Sequence, residues 1–306
     1  MQPDVQKCSF CTEPAVVCQR FHKRHLCGTH FTADLELRVA DTIKTRQLIV
    51  PQDRVAVALS GGKDSTALLL LLHRLLPAWE DVRLIAITID EGIAGYREET
   101  IQSAERLTGR LGIEHHCISF TSLFGESLDA FLTGRETQAC SICGILRKKA
   151  LVVGAHRAGA TKLATGHNLD DEAQSVLMNV FRGDLPRLVR NSRGESSGKF
   201  IPRIKPLSRI SEKEIARYLL INHAWNELPE CPYTRYAMRR EVRSMLSGFE
   251  YKHPGTMLNL VESKEKIERC DKGSVMSEPI RSCRECGDPC SGDLCQVCLL
   301  RQSLDR

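Results

Sequence analysis

The sequence predicts an α/β protein: a doubly wound parallel sheet flanked at both ends of the chain by zinc-binding modules. Three observations carry this. Val- and Ile-rich runs alternate with helical stretches from residue 54 to residue 181, as repeated βα units do. A Gly-rich turn, Ser60-Gly61-Gly62-Lys63-Asp64-Ser65, lies between the first such run and the helix that follows, where backbone N–H groups can hold phosphate. Eight of the fourteen cysteines fall into four Cys-x-x-Cys pairs, and three of those pairs belong to four-ligand sets near the termini.

At the N-terminus, Cys8 and Cys11 are followed, after fifteen intervening residues, by Cys27 and His30. Two short knuckles supplying two ligands each close a tetrahedral zinc site. At the C-terminus, Cys283, Cys286, Cys295 and Cys298 form a four-cysteine ribbon with Gly287, Pro289 and Gly292 in its turns. Both sets have all four protein ligands, so two structural Zn²⁺ ions are expected. Cys18, Cys290, His22 and His25 lie inside or beside these modules and read as spares.

Between the modules the elements follow in order. A helical connector is expected over about Ala33–Leu48, then a buried strand at Arg54–Leu59, the Gly-rich turn and an apolar helix at Ala67–Leu76. Val82–Asp90 reads as the second strand, Arg97–Leu111 as a helix and Ile113–Ser119 as the third strand. Ser141–Ala158 is the next helix, Thr161–Gly166 the fourth strand, and His167–Phe181 a further helix. In such a sheet ligands sit outside the carboxyl ends of the strands. The Gly-rich turn, Asp90-Glu91-Gly92 and Gly166-His167-Asn168 with Asp170, Asp171 and Glu172 all converge on that rim. The acidic residues there are candidates for holding Mg²⁺ with a nucleotide, although an acidic first helical turn is also favoured by the macrodipole alone.

Charge and length bound the rest. The chain has 306 residues and a net charge of +5. Between Arg182 and Lys252 there are 15 basic and 8 acidic residues, an excess of +7, so the basic charge is concentrated in one span suited to a polyanion. Within it Arg235, Arg239 and Arg243, with Arg240 beside them, are expected on one face of a helix. The longest apolar run, Ala67–Leu72, is far too short to cross a bilayer, and Met1–Phe10 has no apolar signal core, so a cytoplasmic protein with no membrane partner is expected. In such a chain cysteines read as metal ligands or catalytic thiols rather than disulfides. The expected organisation is a zinc module at 1–32, the connector at 33–50, a nucleotide-binding catalytic domain at 51–225, a basic helical extension at 226–275 and the zinc ribbon at 276–306.

The Gly-rich turn is not a Walker A loop, which needs Gly where Val57 stands and Ser or Thr where Asp64 stands. It resembles the PP-loop of N-type ATP pyrophosphatases, and "GHNLDDEAQ" from Gly166 resembles that family's second signature. A PP-loop, the central pair Cys140/Cys143, a distant Cys231-Pro232-Tyr233 and zinc modules at both ends together resemble the TtuA/NcsA group of tRNA 2-thiouridine synthetases, related to the TtcA type. The resemblance covers about Cys8 to Cys298. It implies ATP binding by Ser60, Gly61, Gly62, Lys63, Asp64 and Ser65, with Asp90 and Gly166 at the same rim. It also implies that Cys140, Cys143 and Cys231 hold a [4Fe-4S] cluster and that Asp171 is catalytic. Arg147 stands where the family has a functional lysine, and a guanidinium does not readily give up its proton.

The implied reaction is ATP-dependent tRNA 2-thiolation. The C2 oxygen of a uridine is adenylated, pyrophosphate departs, and sulfur replaces AMP at C2. Three cysteines on four irons leave one iron without a protein ligand, where sulfur could bind. An iron-free persulfide route through the same cysteines is the competing account. The family further implies a homodimer and a ubiquitin-like thiocarboxylate carrier as sulfur donor. The composition does not look thermophilic, which favours wobble uridine 34 over T-loop uridine 54. The rival readings are a PP-loop amidotransferase-type synthetase, which leaves the three central cysteines without a purpose, and a non-catalytic zinc-containing RNA-binding protein, which leaves the intact loop without one.

Overall fold

Strand and helix boundaries follow from which faces the side chains must bury. The computed structural model describes residues 6–189, 201–233, 239–270 and 281–304. In chain order its strands are β1 (Val17–Gln19), β2 (Arg24–Leu26), β3 (Arg54–Ala58), β4 (Arg83–Asp90), β5 (Glu114–Ser119), β6 (Lys162–Ala164), β7 (Arg203–Ile204), β8 (Arg281–Ser282) and β9 (Pro289–Cys290). Its α-helices are α1 (Gly28–Thr45), α2 (Lys63–Leu75), α3 (Arg97–Leu111), α4 (Phe120–Phe124), α5 (Leu128–Phe131) and α6 (Ala139–Arg157). They continue with α7 (Leu169–Phe181), α8 (Leu185–Val189), α9 (Glu212–Ile221), α10 (Arg239–Lys252), α11 (Thr256–Cys270) and α12 (Gln296–Leu304).

Five strands form one parallel sheet in the order β5-β4-β3-β6-β7. The chain winds outward from β3 through β4 to β5, then returns to the other side of β3 with β6. The carboxyl ends of β3 and β6 therefore flank the switch point, where a doubly wound sheet opens a crevice. Alternation along the strands feeds two cores. Val55 and Val57 of β3, with Ala86 of β4, pack against α1, α2, α3 and α9 on one face. Ala56, Ile85, Ile87 and Ile89 pack against α6 and its neighbours on the other. A third, smaller cluster joins α7 to α10 and α11 through Leu169, Ala173, Val242, Leu246, Met257 and Val261.

The doubly wound sheet and its strands fall where the sequence places them, with three differences. The first helix begins at Gly28 rather than Ala33, because Phe31, Leu35, Val39 and Ile43 make a buried stripe at four-residue spacing that starts directly after the Cys27–His30 pair. The helix after the Gly-rich turn begins at Lys63 rather than Ala67. Lys63 to Thr66 form its first turn, so free N–H groups at the helix start face the loop. Strand β7 has no counterpart in the sequence reading, since two residues carry no periodic signal.

The terminal modules are tied to this body. Cys27 immediately precedes α1, and Asp34 on α1 pairs with Arg24 at 2.9 Å and Arg38 at 3.0 Å, while Arg38 also reaches Glu214 on α9. Helix α12 of the C-terminal module packs on α6, with Val297 and Leu300 against the core cluster that contains Cys143. Lys149 of α6 pairs with Asp288. Among the described residues no helix is long and apolar enough to cross a membrane.

Candidate functional site

The site is built first by the loop after β3. Gly61 has φ +85° and lies so close to α3 that a Cβ there would sit 2.2 Å from the Thr100 carbonyl oxygen, a place only glycine can occupy. Ser65 Oγ lies 3.2 Å from the Ser60 amide, which donates to it, and itself donates to the Gly62 carbonyl at 2.9 Å, closing the loop on itself. Across the crevice Gly166 presses on the start of α2: a Cβ would stand 3.0 Å from the Ser65 nitrogen.

The second wall is the start of α7. Asn168 and Asp171 form a reciprocal capping box, with the Asp171 amide donating to Asn168 Oδ1 at 3.0 Å and the Asn168 amide to Asp171 Oδ2 at 3.3 Å. Asn168 Nδ2 also donates to Asp64 Oδ1 at 3.0 Å, which ties this wall to the loop. The three acids of the α7 first turn are thereby separated. Asp170 is buried and accepts from the Glu212 amide at 2.8 Å, and burial raises its pKa. Glu172 pairs with Lys205 at 2.6 Å. Asp171 faces the rim, with Arg239 3.6 Å from its Oδ1. Asp90 closes its own turn by accepting from the Gly92 amide at 2.9 Å.

Helices α9 and α10 complete the basic side. Lys63 is 2.8 Å from both Asp64 and Glu212, and Glu212 also pairs with Arg243. Partial burial works against the Glu212 charge, but Lys63 and Arg243 outweigh it and hold its carboxyl below the usual range. Arg239 and Arg243 lie on α10 as expected, where they pair with Asp171 and Glu212 beside the loop. Arg235 lies outside the described residues, as do Arg190, Arg193 and Lys199 of the basic span.

The central cysteines come from two segments. Cys140 and Cys143 lie in the first turns of α6, and Cys231 in the loop before α10. Cys231 and Tyr233 pack against the cluster containing Cys143, and Cys140 Sγ is 3.8 Å from the Tyr233 carbonyl. Cys140 is exposed, Cys143 buried and Cys231 between. Burial pushes the Cys143 thiol up to about 11, against the pull of Arg147, whose Nη2 donates to its Sγ at 3.1 Å. Desolvation opposes the charge on Arg147, but Glu91 and Cys143 more than compensate and raise its pKa above the ordinary guanidinium value. Arg147 is therefore a fixed cation and not a proton donor.

The terminal sets differ in spacing. Each brings its four ligand atoms within 4.8 Å of one another, and Cys140, Cys143 and Cys231 do not form such a group among the described residues. Cys11 and Cys27 sulfurs are 3.8 Å apart, and Cys286 and Cys295 sulfurs 3.5 Å, near the ~3.8 Å edge of a tetrahedron with ~2.3 Å Zn–S bonds. Backbone N–H groups of Cys286 and Cys295 hold the Cys283 thiol down to about 6, whereas burial raises the thiols of Cys286 and Cys298. Cys18, Cys290, His22 and His25 belong to neither set.

Comparison with known proteins bears on this arrangement directly. The PP-loop domain pattern matches residues 32–246. The tRNA 2-thiolation protein NcsA of Haloferax volcanii is 33% identical over 98% of this chain and 99% of its own length. The chain belongs to the PP-loop family of tRNA 2-thiolation proteins. Within that family, cytoplasmic tRNA 2-thiolation protein 1 of the mouse is 36% identical over 96% of this chain and 74% of its own. The tRNA-5-methyluridine(54) 2-sulfurtransferase of Pyrococcus horikoshii is 31% identical over 95% and 92%. In structure, the U34-tRNA thiolase NcsA of Methanococcus maripaludis, solved with its [4Fe-4S] cluster, superposes with a TM-score of 0.85 at 32% identity, covering 97% of this chain and 96% of that one.

Glu212, which the sequence did not single out, and Asn168 and Glu91, which it placed at the rim without a role, also shape the candidate site. Asn168 links Asp64 to the α7 cap, Glu212 bridges Lys63 and Arg243, and Glu91 stands between Arg97 and Arg147. The available signal for Glu91 was its position beside Asp90 at the end of a strand. Glu212 had none beyond its place in a capping box with Ser211 and Glu214.

Proposed function

We propose that this protein thiolates C2 of a tRNA uridine, using ATP to activate the C2 oxygen, and that the wobble uridine 34 is its target. The observation that carries the reading is the convergence on one rim of a closed PP-loop and three cysteines drawn from α6 and a loop about ninety residues later.

Ser60 to Ser65 and the start of α2 would hold the ATP phosphates, with Lys63 turning from Glu212 and Asp64 to the polyphosphate. Asp171 and Asp64 would receive the accompanying Mg²⁺, with Asp90 and Gly166 at the same rim. The uridine C2 oxygen attacks the α-phosphorus and pyrophosphate leaves. The loop N–H groups and Lys63 neutralise the charge that develops on it. C2 then carries AMP, a good leaving group, and sulfur attack at C2 expels it with no net redox change.

Cys140 and Cys143 at the start of α6, with Cys231 packed against the same cluster, would hold a [4Fe-4S] cluster, each ligating one iron. When bound, such a cluster supplies an iron without a protein ligand at which sulfur can be held. Arg147 places a permanent positive charge beside Cys143 Sγ. The terminal sets would carry two Zn²⁺ and orient tRNA over the rim, with the basic span contacting phosphates. A thiocarboxylate carrier as sulfur donor, a homodimeric assembly and a cytoplasmic location belong to the same proposal.

Anaerobic protein incubated with tRNA, ATP, Mg²⁺ and sulfide should yield 2-thiouridine at position 34, detected by nuclease digestion and mass spectrometry. It should contain iron and inorganic sulfide in equal amounts. Full activity from protein carrying zinc alone would refute the cluster, and an amidated product without 2-thiouridine would refute thiolation. Thiolation at position 54 alone would correct the target.

A further inference from the structure

The loop and the cysteines are joined by a chain of charged side chains centred on Glu91. This carboxylate is 2% exposed. Its Oε1 is 2.6 Å from Arg147 Nε, and Arg147 Nη2 donates to Cys143 Sγ at 3.1 Å. Its Oε2 is 2.7 Å from Arg97 Nε, and Arg97, 3% exposed, donates from Nη1 to the Ser60 carbonyl at 3.2 Å and from Nη2 to the Ile89 carbonyl. Four contacts thus run from the first residue of the PP-loop to a central cysteine. The surrounding backbone holds Glu91 in place: its carbonyl accepts from the Leu128 amide at 2.7 Å, and Gly92 follows at φ +69°. Arg97 is equally constrained, since it opens α3, the helix whose Thr100 abuts Gly61.

Stability alone is a poor reason for such a group. A buried carboxylate between two guanidiniums has to be taken out of water, and an apolar replacement of similar volume is often as stable or more so. The cost here is visible. Glu91 Oε2 and Arg97 Nε touch as charges but are not aligned as a hydrogen bond, and among the described residues neither has another hydrogen-bond partner.

We propose that Glu91 is a positioning residue that couples nucleotide occupancy of the PP-loop to the arrangement at Cys143, through Arg97 on one side and Arg147 on the other. This rests on the reading of the loop as the ATP site and the cysteines as the sulfur site. A phosphate group that draws on the loop shifts the Ser60 carbonyl held by Arg97. Glu91 can follow Arg97 only by changing its grip on Arg147, and so the cation over the Cys143 sulfur moves. By linkage the effect runs equally in reverse.

The test uses iron-free full-length protein under anaerobic conditions. Methyl methanethiosulfonate modification of each cysteine is followed by peptide mass spectrometry, with and without a non-hydrolysable ATP analogue and Mg²⁺. Cys140, exposed on the same helix, is the internal reference. In the wild type the analogue should change the Cys143-to-Cys140 rate ratio by about fivefold or more. In Glu91→Gln the analogue should still bind while the ratio stays constant. A purely structural role would loosen both cysteines together and leave the analogue's effect on the ratio in place. Arg147→Gln breaks the same connection from the half-exposed end and decides the matter where Glu91→Gln misfolds or loses nucleotide. An unchanged ratio in wild-type protein with analogue bound overturns the proposal, as does an effect that survives in both variants. Neither result touches the thiolation reading, which stands or falls on 2-thiouridine formation.

Discussion

The terminal cysteine sets and the central cysteines use the same Cys-x-x-Cys spacing for opposite ends. In each terminal set four ligand atoms crowd within 4.8 Å, supplied by knuckles close in sequence. In the centre, two cysteines on α6 meet a third from a distant loop, one of them exposed, beside an arginine whose other partner is a buried carboxylate. A closed ligand set suits a structural ion, whereas an open set wired to charged groups suits a site where something reacts. The spacing of two cysteines is therefore uninformative by itself, and the company they keep is decisive.

The sharpest way to break this comparison is to remove one cysteine from each region. Cys231→Ala should lower 2-thiouridine formation by about a thousandfold or more while the melting temperature holds, because this cysteine lies in a loop and only partly buried. Cys283→Ser should instead remove one zinc per chain by elemental analysis and unfold the C-terminal module locally, with thiolation reduced by about tenfold through the packing of α12 on α6. Equal losses of activity from the two variants would erase the distinction.

Next in size is the loop itself. Gly61→Ala forces a side chain into the left-handed region and against the Thr100 carbonyl, at a cost of about 1–3 kcal/mol. ATP affinity measured by calorimetry should fall well below that of the wild type, without change in zinc content. Retained ATP binding would show that the loop can move away from α3 freely.

The smallest effect concerns the loop's basic wall. The Glu212 carboxyl is held below its ordinary value of 4.5 by Lys63 and Arg243, so its contribution to stability is present above about that pH and lost as pH falls through the lower folded value. Glu212→Gln should therefore destabilise nucleotide-free protein by about 0.5–1 kcal/mol at pH 7, with the difference from wild type shrinking below pH 4.5 in urea titrations. A difference independent of pH would mean that Glu212 acts through packing and not charge.

Legibility in the sequence followed distance along the chain. The terminal ligand sets could be read directly, because ligands within a few residues of each other leave a spacing. The PP-loop could be read because a strand, a glycine turn and a helix are contiguous. The link from Cys143 to Cys231 had no repeated spacing to mark it, only the Pro-flanked setting of Cys231 and the resemblance to a family, and the acidic partners of Arg239 and Arg243 on α7 and α9 left no trace in the sequence. Strand β7, only two residues long, left no pattern at all.

By itself, then, the sequence determined the alternation of strands and helices, the two closed metal sets and the phosphate loop, because each depends on local periodicity or local ligand spacing. The tertiary structure decided the partners of the acids at the rim, that Asp170 supports α9 while Asp171 caps α7 and pairs with Arg239, and that Glu91 joins Arg97 to Arg147. Those pairings arise where parallel strands bring the ends of remote segments to one edge, and charges meeting there are set by the winding of the sheet, which no short stretch of residues records.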